Sequence, residues 1–86
     1  MWRAAVGEQL REERSARSER LADVAGRAGV STQYLSELER GLKEPSSEVL
    51  AALAGALRLS VADLASRATS RLTATRSFRD PVCLAA

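Results

Sequence analysis

The run from Leu21 to Leu38 constrains this chain more than any other feature of its sequence. Leu21, Val24, Ala25 and Ala28 recur at helical spacing and stop at Gly29, which tolerates positive φ. Ser31 then offers an N-cap, and a further helix carries Leu35 and Leu38 inward until Arg40-Gly41. Two helices are expected, from about Arg20 to Ala28 and from about Ser31 to Gly41. They should cross at ~90 to 120°. Ala25 is small where they meet, Gly29 makes the turn, and Val24, Ala28, Val30, Leu35 and Leu38 bury the wedge between them.

This is helix-turn-helix spacing, position by position, and helices of suitable length flank it. Val6, Leu10 and Arg14 are spaced by four along one face of a first helix, about Arg3 to Arg17. After the loop Leu42-Lys43-Glu44-Pro45, Ser46 or Ser47 caps a fourth helix with the apolar stripe Val49, Leu50, Leu53, Ala54, Leu57. Ser60 with Asp63 starts a fifth, carrying Val61, Leu64, Ala65, Ala68 and Leu72. From Thr73 the periodicity fails, so residues 73–86 read as a flexible tail with too little apolar surface to offset its ordering entropy. Hydrophobic residues make up 45% and aromatics 3%, with Ala and Leu dominant and Ile absent, which favours helix over strand. The fold expected is all-α, one five-helix domain over residues 1–72.

Composition narrows function by exclusion. The net charge of +2 is too small for bulk attraction to nucleic acid, and residues 1–40 balance seven Arg against seven Asp or Glu. Positive charge gathers later, at Arg67, Arg71, Arg76 and Arg79. There is no His and one cysteine, Cys83, which removes His-based catalysis, Cys–His dyads and zinc sites with Cys or His ligands. No cofactor or metal is expected. No enzyme reading finds a nucleophile with a base or a carboxylate pair in a cleft. No apolar run approaches the ~20 residues of a membrane span, and Met1-Trp2-Arg3 leads into charge, so the cytoplasm is the default compartment.

With Leu35 and Leu38 inward, the third helix turns Thr32, Gln33, Ser36, Glu37 and Arg40 outward. The second helix of a helix-turn-helix is the one that enters the major groove, so these are candidate DNA contacts. Gln33 can pair with adenine in two bonds, Glu37 can accept from cytosine, and Thr32 can touch a thymine methyl or a phosphate, with Ser36 beside them. Phosphate contacts are expected from Lys43, Arg40 or Arg20, from N–H groups near Ser46 and Ser47, and from a Tyr34 whose ring packs while its hydroxyl points outward. The plain alternative is that all are solvated polar residues. The same scaffold also suits a protein-interaction module, antitoxin-like or adaptor, and the balanced charge of residues 1–40 gives that reading weight.

Beyond the motif, Ser31 to Gly41 reads S-x-x-x-L-S-x-[LIV]-E-x-G, and residues 4–66 resemble the Cro/repressor or Xre-like family. The resemblance implies a domain of the phage repressor type that docks its third helix in the major groove and binds palindromic operators as a two-fold dimer. It also implies an ion pair between Arg14 and Glu39. The sequence gives that pair separate support, since Arg14 continues the Val6–Leu10 face and a buried charge there needs a partner. Two departures, Leu21 for the usual Gln and Arg20 for the usual N-cap hydroxyl, bear on the family's helix-2 phosphate contact. Residues 34–50 look more narrowly like the Clp-protease gene regulators, which implies an activator of protease and chaperone genes, with RNA polymerase a candidate second partner. Leu64, Ala68 and Leu72 leave two readings open, a homodimer interface or packing within the chain. Leu84-Ala85-Ala86 is similar to the terminus of the tag on stalled translation products, which implies a degradation signal for a Clp-type protease.

Overall fold

Five helices follow one another: α1 (Trp2–Ala16), α2 (Leu21–Ala28), α3 (Thr32–Glu39), α4 (Ser47–Ala56) and α5 (Val61–Arg79). The computed structural model describes the backbone of residues 2–79 and the side chains of residues 2–73. Three helix starts are set by serine hydroxyls. Ser31 Oγ accepts the Tyr34 N–H, Ser46 Oγ that of Val49 and Ser60 Oγ that of Asp63, each satisfying a first-turn donor without an intrahelical partner. At α2 the arrangement is reversed. The Arg20 side chain cannot accept, and instead Asp23 Oδ2 accepts the Arg20 backbone N–H at 3.0 Å.

α1 packs on α3 and α5, α2 on α3 and α4, and α4 on α5, so the five helices close a ring around one core. Leu10, Leu35, Leu38, Leu53, Leu57, Leu64, Val6 and Val24 fill it, each essentially without solvent exposure. At ~1.5–3 kcal/mol for each large side chain fully buried, this set outweighs any surface contact in the molecule. The α1–α5 seam is polar. Gln9 Nε2 donates to Glu13 Oε2 at 2.7 Å, Arg67 pairs with Glu13, and Arg71 donates to Gln9 Oε1 at 2.7 Å while pairing with Glu8 and Glu12. Burial favours a protonated Glu13, but hydrogen bonds from Arg67 and Gln9 outweigh it and hold the carboxyl below the usual carboxylate range.

One open reading is decided by the packing, and one expectation needs correction. The stripe Leu64, Ala68, Leu72 is consumed inside the chain: Leu64 and Ala68 are fully buried and Leu72 packs against the core. A subunit contact cannot use the face that closes the domain's own core. The helix also does not stop at Leu72. Its backbone hydrogen bonding continues to Arg79, because the six residues after Thr73 include no Gly or Pro to break it, although apolar periodicity has run out. At the other end of the motif, α3 stops at Glu39, with Gly41 at φ 74° turning the chain away.

Candidate nucleic-acid interface

α3 is held from behind before it presents anything in front. Leu35 and Leu38 anchor it in the core. Gly7 lets α1 approach its end so closely that a Cβ there would lie 2.3 Å from the Leu38 carbonyl oxygen and 2.8 Å from that of Glu39. Arg14 completes the attachment. Its Nε and Nη2 donate to Glu39 Oε2 and Oε1 at 2.8 and 2.9 Å, and its Nη1 donates to the Glu19 carbonyl oxygen at 3.0 Å. One guanidinium therefore ties α1 to the end of α3 and to the turn before α2. The pair is largely shielded, with side-chain exposures of 17% for Arg14 and 6% for Glu39. Its hydrogen bond with Glu39 raises the Arg14 pKa further, against the desolvation that would lower it.

The turn before α3 is set by Gly29, at φ 75°, where its N–H and that of Val30 return to the last carbonyls of α2. The Val30 N–H reaches the Ala25 carbonyl oxygen at 3.0 Å. α3 thus begins at a fixed angle, and Thr32 and Gln33 stand exposed in its first turn. Ser36, one turn on, is half-buried. Glu37 is turned aside: its Oε1 lies 3.4 Å from Lys43 Nζ, which also sits 6.0 Å from the Tyr34 ring centre. Glu37 and Lys43 offset each other's charge, and the exposed Lys43 ammonium keeps two further donors beside the pair. Tyr34 packs its ring partly against the core.

Of the remaining candidates, Arg40 and Arg20 are exposed, the Arg20 Nε lying 4.0 Å from Asp23 Oδ2. Ser46 spends its hydroxyl on the α4 cap, while Ser47 is exposed at the first residue of that helix. Leu84, Ala85 and Ala86 lie outside the described residues, as do the side chains of Arg76 and Phe78. Sequence reasoning missed Gly7, whose role depends on which backbone lies opposite. It also missed Arg17 and Arg27, which donate to the Leu57 and Ala56 carbonyl oxygens and so cap the end of α4. A cation in a last turn can be found by spacing; a cation serving another helix's end cannot. Among the described residues no cluster of His, Cys, Asp or Glu could hold a metal ion, and no single helix is long and apolar enough to cross a membrane.

Residues 8–64 match the family model described as helix-turn-helix. The chain belongs to that family. It is 51% identical over 57 residues to the transcriptional regulator ClgR of Mycobacterium tuberculosis, covering 66% of this chain and 51% of the relative. The regulator DdrOP3 of Deinococcus deserti is equally similar, 51% over 57 residues, with 44% of that protein covered. The chain spans about half the length of these curated relatives. Among solved structures, the clp gene regulator ClgR from Corynebacterium glutamicum superposes with a TM-score of 0.87 at 39% identity, over 98% of this chain and 89% of that one. The restriction-modification controller protein C.AhdI from Aeromonas hydrophila reaches 0.70 at 29% identity, over 72% and 94%. The matched residues 8–64 take in α2 and α3 whole, the two helices of the motif.

Proposed function

We propose that this protein is a sequence-specific DNA-binding transcription regulator that reads the major groove with α3, and that its targets are genes of ATP-dependent proteolysis. The observation that carries the reading is the pairing of a rigid mount with a free face. α3 is fixed by Gly7, Leu35, Leu38 and the Arg14–Glu39 pair, while Thr32 and Gln33 project at its N-terminal end with no partner in the domain's core. A groove-reading helix needs both, since bidentate recognition by Gln33 depends on a fixed approach and on an amide that is not already engaged. The target class rests on the similarity to proteins called clp gene regulators. Binding as a two-fold dimer on a palindrome belongs to the same proposal, through a surface other than the buried Leu64–Ala68 stripe.

The test is a mobility shift on fragments from upstream of clp genes and of the protein's own gene, run across salt concentrations. Phosphate neutralisation gives affinity that falls steeply as salt rises, with a slope of ~0.9 per phosphate contact. A folded protein that binds none of these fragments at low salt would instead favour an adaptor that works through another protein.

A further inference from the structure

A cleft of about 250 Å³ opens where α1, the start of α2 and the end of α3 converge, lined by Arg11, Arg14, Leu21, Ser36, Glu39 and Arg40. Its charge is unequal: three guanidiniums face one carboxylate. That carboxylate is already occupied, because both Glu39 oxygens accept from Arg14. Arg14 spends three of its five N–H donors on Glu39 and on the Glu19 carbonyl, which leaves one on each terminal nitrogen. Arg11 and Arg40 are exposed, and neither makes an ion pair or a side-chain hydrogen bond among the described residues. Two uncommitted cations therefore flank a neutralised pair in a concave site.

A second arginine cleft differs in this respect. Arg17, Glu19, Arg27 and Arg58 line another concavity, but there Arg17 and Arg27 are bound to the carbonyl oxygens ending α4, and Arg27 also pairs with Glu19. Two of its three cations thus already have their acceptors, and Arg58 alone has none among the described residues. In the α1–α3 cleft the acceptor is missing, and Ser36 on its wall belongs to the outward row of α3 that includes Gln33. An anion seated there lies directly beside the reading helix.

We infer that Arg11 and Arg40 clamp a single DNA phosphate in this cleft, so that α1 is part of the DNA-binding surface. The inference rests on the DNA-reading function proposed above. A guanidinium presents a planar fork that matches phosphate oxygens, and two forks from different helices fix that phosphate in two directions. The contact carries no base information; it sets the depth and register at which α3 enters the groove. It also explains why α1 is tied to α3 so tightly, since a slack joint between them would pull the clamp out of register with Gln33.

The test uses the full chain and an operator fragment that the parent binds. Arg11→Gln, Arg40→Gln and their combination are compared with Gln33→Ala for affinity, salt slope and preference among base-substituted operators. The double variant is expected to fold like the parent, to bind about tenfold more weakly on every operator, and to show a salt slope shallower by about 0.9, one phosphate's worth. The two single losses should be less than additive, because both residues serve one phosphate. Arg11→Lys, which keeps charge without the fork, should recover the slope but not the full affinity. A double variant that keeps the parent's slope and affinity would overturn the clamp while leaving the DNA reading intact. Failure of the parent itself to bind any operator would bring down the reading on which the clamp depends.

Discussion

Replacing Arg14 by Ala should be the most damaging single change that touches no core side chain. The substitution removes both hydrogen bonds to Glu39 and the one to the Glu19 carbonyl oxygen. It also leaves the Glu39 carboxylate, 6% exposed, without its cation. Stranding one partner of a buried pair costs ~3–5 kcal/mol, and because Arg14 keeps 17% exposure at the edge of a cleft the expected loss is at the low end, about 3 kcal/mol. An 86-residue domain has roughly 4–13 kcal/mol of stability in all. At ~4–8 °C per kcal/mol for a domain of this size, Tm should fall by about 12–24 °C. Thermal and urea unfolding followed by circular dichroism measure this. Glu39→Gln should cost less, since the amide can still accept from Arg14, and the joint change to Met at both positions should recover most of the loss. An Arg14→Ala variant melting within about 3 °C of the parent would refute the reasoning, because no pair stranded at this burial could cost so little.

Three further outcomes are expected. Gly7→Ala would drive a methyl group into the Leu38 and Glu39 carbonyls, which cannot rotate away, so unfolding experiments should show a loss of ~1–3 kcal/mol from overpacking and operator affinity should drop with it. Glu13 is held below the ordinary carboxylate range, so its contribution is complete above the unfolded value of about 4.3 and is lost as pH falls through the lower folded value. Urea midpoints measured as a function of pH should therefore fall less steeply in acid for Glu13→Gln than for the parent, and parallel curves would show that the Arg67–Glu13 contact contributes nothing to stability. Gln33→Ala should lose ~1–3 kcal/mol of discrimination at one base pair while keeping the parent's salt slope, as read by titrating operators substituted one position at a time.

Local chemistry was legible in the sequence because it acts over three or four residues. The serine caps at Ser31 and Ser60, the glycine at position 29 and the inward pair Leu35 and Leu38 each depend on near neighbours alone, and α2, α3 and α4 fall within a few residues of where those signals put them. What could not be read depends on elements distant in sequence. Whether Leu64 and Ala68 face another subunit or the chain's own α1 is decided by how the ring of helices closes, and periodicity is identical in both cases. Gly7 looks like any helical glycine until the α3 carbonyls are placed opposite it. Glu37 scored as outward on the helical wheel, yet Lys43, six residues later in a loop, reaches back to pair with it. The Arg11–Arg40 cleft escaped for the same reason, its two cations lying far apart in sequence on α1 and at the end of α3.

Selection from random duplex DNA measures whether α3, mounted on α1, reads a DNA sequence. The expected result is a recovered palindrome whose half-sites lie about one helical turn, ~10 bp, apart, with Gln33→Ala relaxing one symmetric pair of positions and Arg11→Gln relaxing none. Recovery of no common sequence by a protein shown to be folded, or of a sequence preference that Gln33→Ala leaves unchanged, would contradict it.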